Sequence, residues 1–424
     1  MAVQPFLIRC IMSGQQHPFL RQRDGHHARI TYEELLFDLV YVFAVTQISH
    51  ELLEHLSLGG LIETVILWFA VWLGWQYTCW FTNWFNPETP LIRAVLFTSM
   101  LLALILSSAL PDAFGDRGLI FAAAYIGIQV GRTVFVVFLL GRDHVLYPNY
   151  RRMAGWLSIS AVFWIAGAFA PHEWRIALWA VAVLCEYCSP IFGFALPGLG
   201  RSETSEWTIE GAHLAERCQL FVIVALGETL LATGATMAKA TTWNAAVLLG
   251  LLAAFLGTLA MWWLYFGTAG RDAIATITQS RDPGRIGAYF HYVHAILVAG
   301  IIATAVGNDL VLAHPHDAPS VAFILVLCGG PAIYLLGSAI YKKVVYDSVP
   351  VSHVAGVLAL AALAPLAFAL DLLVMGWMTT AVMLAVCAWE AKNTSPPPKQ
   401  RRGKRPLGGA LTGRFPGAIL AEIL

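Results

Sequence analysis

Polar side chains interrupt an apolar stretch near the amino terminus. Among them are Asp38, Gln47, His50 and Glu51, within LLFDLVYVFAVTQISHELLEHL at residues 35–56. An Asp near the centre of a helix in lipid costs about 2.5–3.5 kcal/mol on insertion scales. Such a group persists when a buried partner compensates it or when it handles protons or ions in an aqueous path. On a helical projection Glu34, Asp38, Tyr41 and Ser49 share one side, and Gln47, Glu51 and Glu54 fall nearly opposite, so this helix is expected to have protein neighbours all round.

Further apolar stretches carry ionisable groups. In AAAYIGIQVGRTVFVVFLL, Tyr125, Gln129, Arg132 and Thr133 share a face. Arg132 lies roughly 13 Å inside the helix end at 1.5 Å per residue, which is too deep for an anchor. Asp38, at the most similar depth, is its expected carboxylate partner. In HLAERCQLFVIVALGETLLATG, entered past Glu216, the residues Arg217, Val224 and Glu228 share a face. Eleven residues separate Arg217 from Glu228, about 16 Å, so those two cannot pair. Glu228 is then a deep carboxyl with no local cation, left to hold a proton, to bind a cation or to meet a distant Arg132; this is the profile of a proton or cation relay. Glu186 sits one turn before Pro190, whose ring frees the Glu186 carbonyl and could open a polar site. His291 and His294 stand three apart at the cytoplasmic end of the ninth stretch, whose outer end Asn308 and Asp309 close, but no HExxH or Cys/His cluster accompanies them and no metal or cofactor is expected. Cys185 and Cys188 form a CxxC in mid-span, where small buried hydrophobes are the reading rather than a redox pair.

The elements that carry these groups follow from composition. The chain has 424 residues, 58% hydrophobic and 12% charged, against about 25% charged in soluble domains. It has too little charge to cover a water-soluble globule, so the bilayer is its solvent. The fold class is therefore an all-α polytopic membrane protein, with nothing to engage nucleic acid. Twelve apolar stretches run over 34–57, 61–84, 91–110, 118–140, 153–171, 174–196, 212–236, 243–267, 289–311, 320–341, 352–370 and 372–389. With the amino terminus in the cytoplasm, basic residues divide roughly 22 inside to 3 outside, the three being Arg117, Arg175 and Lys239. Both termini are expected in the cytoplasm. Residues 1–33 form an uncleaved arm, 34–200 and 201–390 two six-helix halves, and 391–424 a Pro-rich, basic, disordered tail. Placing the seventh span under the first aligns Asp38 with Gln219 and Gln47 with Glu228, which would make the halves a parallel repeat.

The run Glu34 to Val45 with Gln47 and His50, the run Glu216, Arg217 and Leu220 to Glu228, and the ninth stretch with His291, His294 and Ala305 to Gly307 resemble the bacterial low temperature requirement protein A family. The likeness covers about Arg29 to Glu390, with departures at Leu36, Cys218 and Gln219 that leave the acidic residues intact. It implies a multi-pass protein of the bacterial plasma membrane and supplies no mechanism. A fainter likeness of FDLVYVFAV is to six-helix-repeat potassium channels of the lysosomal type. With no Walker loop, Rossmann fingerprint or GxSxG motif, an ATP-driven pump is disfavoured and no enzyme is expected. The leading expectation is a secondary transporter, a proton- or cation-coupled permease of a small solute or ion, with Glu34, Asp38, Gln47, His50, Arg132, Glu186, Glu216, Arg217 and Glu228 as its polar core. The alternatives are a passive cation channel and a membrane-embedded protein supporting envelope or lipid function at low temperature. The sequence does not fix an oligomeric state.

Overall fold

A computed structural model describes residues 18–23, 28–240, 242–267 and 282–393. Most of the basic arm, Arg271, Arg281 and the tail from residue 394 lie outside the described residues. Among the described residues there is helix and no strand, and twelve helices are long and apolar enough to cross a membrane. In chain order they are α1 (Tyr32–Glu54), α2 (Leu58–Trp84), α3 (Pro90–Asp112), α4 (Gly118–Leu140), α5 (Tyr147–Phe169), α6 (His172–Ile191), α7 (Gly211–Lys239), α8 (Ala245–Gly267), α9 (Pro283–Ala313), α10 (Val321–Tyr346), α11 (Val351–Ala369) and α12 (Leu372–Asn393). These match the twelve expected stretches to within a few residues.

Local chemistry sets the helix ends. Thr31 caps α1 through a reciprocal box in which its hydroxyl accepts from the Glu34 amide and the Glu34 carboxylate accepts from the Thr31 amide. Ser57, Asn244 and Ser320 cap α2, α8 and α10 in the simpler way. Mid-way along α4 a π-helical turn, Gly127–Gly131, interrupts the α-helix and ends at Arg132. Single π turns of this kind re-aim side chains inside long helices and favour functional positions.

The helices differ in how enclosed they are. In α9, 72% of the most apolar window is buried, whereas α6 and α11 bury only 28%, so α9 is central and the other two are peripheral. Helices α9 and α10 approach backbone to backbone through small residues: a Cβ at Gly300 would lie 2.4 Å from the Tyr334 amide nitrogen, and one at Gly330 would lie 2.6 Å from that of Thr304. Lipid offers no hydrophobic drive between helices, so close van der Waals contact of this kind carries the association.

Helix α1 is not enclosed on all sides as expected. Leu35, Leu36, Leu39 and Phe43 are exposed along one strip and turn outward. Their arc lies between the two polar arcs. Of the residues that had suggested a second enclosed side, Glu51 is buried and Gln47 half-buried, while Glu54 is exposed near the end of the helix.

Candidate functional site

Three of the polar assemblies inside the bundle hold expected site residues. The first joins α1, α2 and α7 around Arg217, which is fully buried. Its Nη2 and Nε donate to the two carboxylate oxygens of Asp38 at 2.6 and 3.0 Å, and its Nη1 donates to Glu34 at 3.0 Å and to the Thr82 hydroxyl at 3.2 Å. The Trp75 indole donates to Asp38 at 2.7 Å. Glu34 also accepts from Arg21 at 2.7 Å and from the Thr31 amide at 2.9 Å, and its other oxygen lies 2.9 Å from His213 Nε2.

Hydrogen-bond direction fixes the state of His213. Asn83 Oδ1 accepts from the Glu210 backbone amide at 2.8 Å, a donor whose sense cannot reverse, so Asn83 Nδ2 faces His213 Nδ1 at 3.1 Å and donates to it. Nδ1 therefore carries no proton, and Nε2–H donates to Glu34. Histidine is neutral, and two carboxylates balance two guanidiniums. A set so fully bonded and balanced is what a low-dielectric interior tolerates, and it fastens three helices together.

The second assembly corrects the expected Asp38–Arg132 pair. Asp38 is taken by Arg217, and Arg132 donates instead to the Thr78 hydroxyl and, at 2.8 Å, to Gln129 Oε1. The depth argument weighed only Arg132 against Asp38 and gave Arg217 no depth; Arg217, six residues into α7, meets Asp38, itself six residues into α1. Arg132 reaches a carboxylate only through neutral groups. Gln129 Nε2 donates to the Tyr125 hydroxyl at 3.3 Å, and that hydroxyl donates to Glu186. Glu186 further accepts from Ser160 at 2.5 Å and Trp164 at 3.0 Å, as a carboxylate with three donors should. The carbonyl freed by Pro190 opens no polar site, because Ser189 donates its hydroxyl to it at 2.9 Å.

Arg132 also lines a cavity at the end of the bundle where α1 begins. The cavity, with about 70 Å³ of free space, lies between α2, α4, α5, α6 and α9. Its wall is largely aromatic, with Trp80, Trp84, Trp207, Tyr77, Tyr150 and Tyr292. Gln76 and Arg132 lie deepest, each eight residues from the end of its helix, or about 12 Å. Arg285, at the start of α9, also lines it. The entry of α9 is held by Asp282, which accepts from the Arg285 amide at 3.0 Å and from the Thr204 hydroxyl at 2.5 Å.

The third assembly lies in the opposite half. Glu228 is buried, with Thr46, His50 and Asp309 around it. Asp309 accepts from Thr236 at 3.0 Å. Glu228 thus sits away from Arg217, as its spacing implied, and the open possibility of a contact with Arg132 is not met, since Arg132 is bonded to Thr78 and Gln129. Gln47 is half-buried on the same stretch of α1, and Glu216 is half-buried on α7. The two histidines of α9 do not converge on one point: His294 Nδ1–H donates to the Phe290 carbonyl at 2.6 Å and its Nε2 accepts from Tyr265 at 2.6 Å, while His291 lies against Trp80 at 3.3 Å. The six described cysteines are free thiols, Cys185 and Cys188 included.

The profile of the bacterial low temperature requirement A protein family matches residues 29–388. The chain belongs to that family. An uncharacterized protein of Rhizobium meliloti (strain 1021) is 37% identical over 386 residues, which cover 89% of this chain and 93% of that one. No solved structure matches. Against the motifs that carry the resemblance, the structure gives the low temperature requirement A signatures a physical reading: Glu34 and Asp38 of the first and Arg217 of the second are halves of one ion cluster.

Several members of these assemblies are not apparent from single apolar stretches. Arg21 in the arm, Asn83 at the end of α2 and the cavity aromatics of α2 carry no periodic polar signal. Others were legible. Thr31 and Glu34 are spaced as a capping box, and His213 precedes Arg217 by one helical turn, which puts both on the Glu34 side.

Proposed function

We propose that this low temperature requirement A protein is a secondary transporter of the bacterial plasma membrane, with both termini in the cytoplasm. The observation that carries the reading is the cavity that enters the bundle from one end and stops, about 12 Å in, at buried Arg132 and Gln76. The strong segregation of Lys and Arg supports a cytoplasmic placement of that end. Beyond the cavity, Trp72, Trp75 and Phe221 close the middle of the bundle with ring centroids 4.6–5.4 Å apart. Beyond that layer lie Glu228, Asp309 and His50. A cavity on one side, a packed centre and an ionisable cluster on the other is the layout of a carrier caught facing inward, and the packed centre favours it over a passive channel. In this reading Glu228 takes up and releases the coupling proton or cation.

The test is electrical recording of proteoliposomes over a panel of organic acids, amino acids and sugars under an imposed pH gradient. A transporter gives a transient current that saturates with one solute class and disappears in Glu228→Gln. A sustained current that never saturates, or a Glu228→Gln protein with full activity, would overturn the proposal.

A further inference from the structure

The cavity has a sign. Two guanidiniums line it, Arg132 at its floor and Arg285 near its mouth, and none of the residues lining it is Asp or Glu. Arg132 is 5% exposed and uses two of its five N–H donors, on Thr78 and Gln129. Its charge is compensated only at second hand, through Gln129 and Tyr125 to Glu186. Arg285 makes no ion pair among the described residues, and its Nε is buried without a partner. Three more buried polar atoms in the same lining lack partners: the Tyr289 hydroxyl beside Arg285, the Tyr77 hydroxyl, and Gln76 Oε1, an acceptor that an acid group does not meet. Native interiors rarely leave such atoms unmet, and Arg285 Nε and the two hydroxyls, with the free donors of Arg132, describe a place for something that supplies negative charge and hydrogen-bond acceptors.

The wall between the two arginines narrows the chemistry. Indole and phenol rings, Trp80 and Trp207 among them, offer flat apolar faces. A cation would meet two like charges there. An inorganic anion would find the donors but leave the aromatic wall unused. We infer that the cavity binds a small organic anion, with its acid group against Arg132 and an apolar or planar body along the rings. The inference rests on the transporter reading and names the class of its solute. A charge-assisted, two-pronged contact to a guanidinium is the strongest recognition the floor can offer an acid group. The free donors of Arg132 are placed for it, and Arg285 draws the anion in across the mouth. The same acid chemistry could arrive on the head of an anionic lipid, so the lipid must be varied separately.

Benzoate is the probe, because it is one carboxylate on one flat ring. Purified full-length protein in nanodiscs of phosphatidylcholine is titrated with benzoate while the tryptophan emission is followed, since three tryptophans face the cavity. The expected result is a saturable change, unaffected by equimolar inorganic phosphate. Arg132→Gln should weaken the apparent Kd at least tenfold, and Arg285→Gln by a few fold. Arg285→Gln, away from the buried network, keeps the inference falsifiable where Arg132→Gln does not fold. No saturable response of the wild type, a response to phosphate alone, or undiminished binding in both variants would overturn it. Loss of the benzoate response when phosphatidylglycerol replaces part of the phosphatidylcholine would also overturn it, in favour of a lipid head. Binding is read without transport: an anion that binds but gives no current in proteoliposomes defeats the transporter reading alone, and saturable transport of a solute that does not compete with benzoate defeats this one alone.

Discussion

Replacing Arg217 tests the structural core of the molecule. Arg217→Gln removes two bonds to Asp38, at 2.6 and 3.0 Å, and one to Glu34 at 3.0 Å. Glu34 keeps Arg21, His213 and the Thr31 amide, whereas Asp38 keeps only the Trp75 indole. The loss therefore falls on Asp38, a buried carboxylate left without a cation, and breaking such a pair costs about 3–5 kcal/mol. Asp38→Asn alone strands Arg217 less completely, because Glu34 still holds it, and should cost about 2–3 kcal/mol. The double variant removes both charges and should cost about 4 kcal/mol, well short of the sum, for a coupling near 2–3 kcal/mol. Unfolding by sodium dodecyl sulfate in mixed micelles, followed by tryptophan emission, gives the four free energies. Pairing Asp38→Asn with Arg132→Gln serves as the comparison and should be additive to about 0.5 kcal/mol. Additive losses in the Asp38–Arg217 cycle would refute the cluster as drawn.

Three further outcomes follow from packing and bonding. Gly330→Ala should destabilise the α9–α10 pair by about 1–3 kcal/mol in the same micelle assay, while Gly329→Ala, which meets nothing within 4 Å, should change it by less than about 0.5 kcal/mol. Glu186→Gln places an amide where three donors converge on a carboxylate and should cost about 1–3 kcal/mol; an unchanged protein would show that Tyr125, Ser160 and Trp164 do not depend on it. Thr31→Ala removes the α1 cap and should cost about 1 kcal/mol, with Thr31→Ser restoring most of it.

The span pattern was legible because each crossing must satisfy its own backbone in lipid, which forces long apolar stretches that a hydropathy window finds. Depth was legible too: Arg217 and Glu228 are as far apart as the helical rise requires. Partner choice was not. Asp38, Arg132 and Arg217 lie at one level of the membrane, and which arginine meets the carboxylate depends on which helices are neighbours, a three-dimensional fact that no single helix projection contains. The expectation that α1 has protein neighbours all round failed for a related reason, since a projection collapses Glu54 at the end of the helix onto Gln47 at membrane depth. The aromatic cavity left no mark at all. Tryptophan and tyrosine in an apolar span read as hydrophobes, and only the fold shows that residues from α2, α5, α6 and α9 leave space between them.

The accessibility of Ala288, a half-buried residue lining the cavity on α9, tests the proposed pathway most directly. In a background free of native cysteines, Ala288→Cys is exposed to a membrane-impermeant maleimide from each face of oriented vesicles. An inward-facing carrier is labelled from the cytoplasmic face, and benzoate slows the reaction. Equal labelling from both faces would mark an open channel, and labelling from the outer face alone would contradict both the orientation and the transporter.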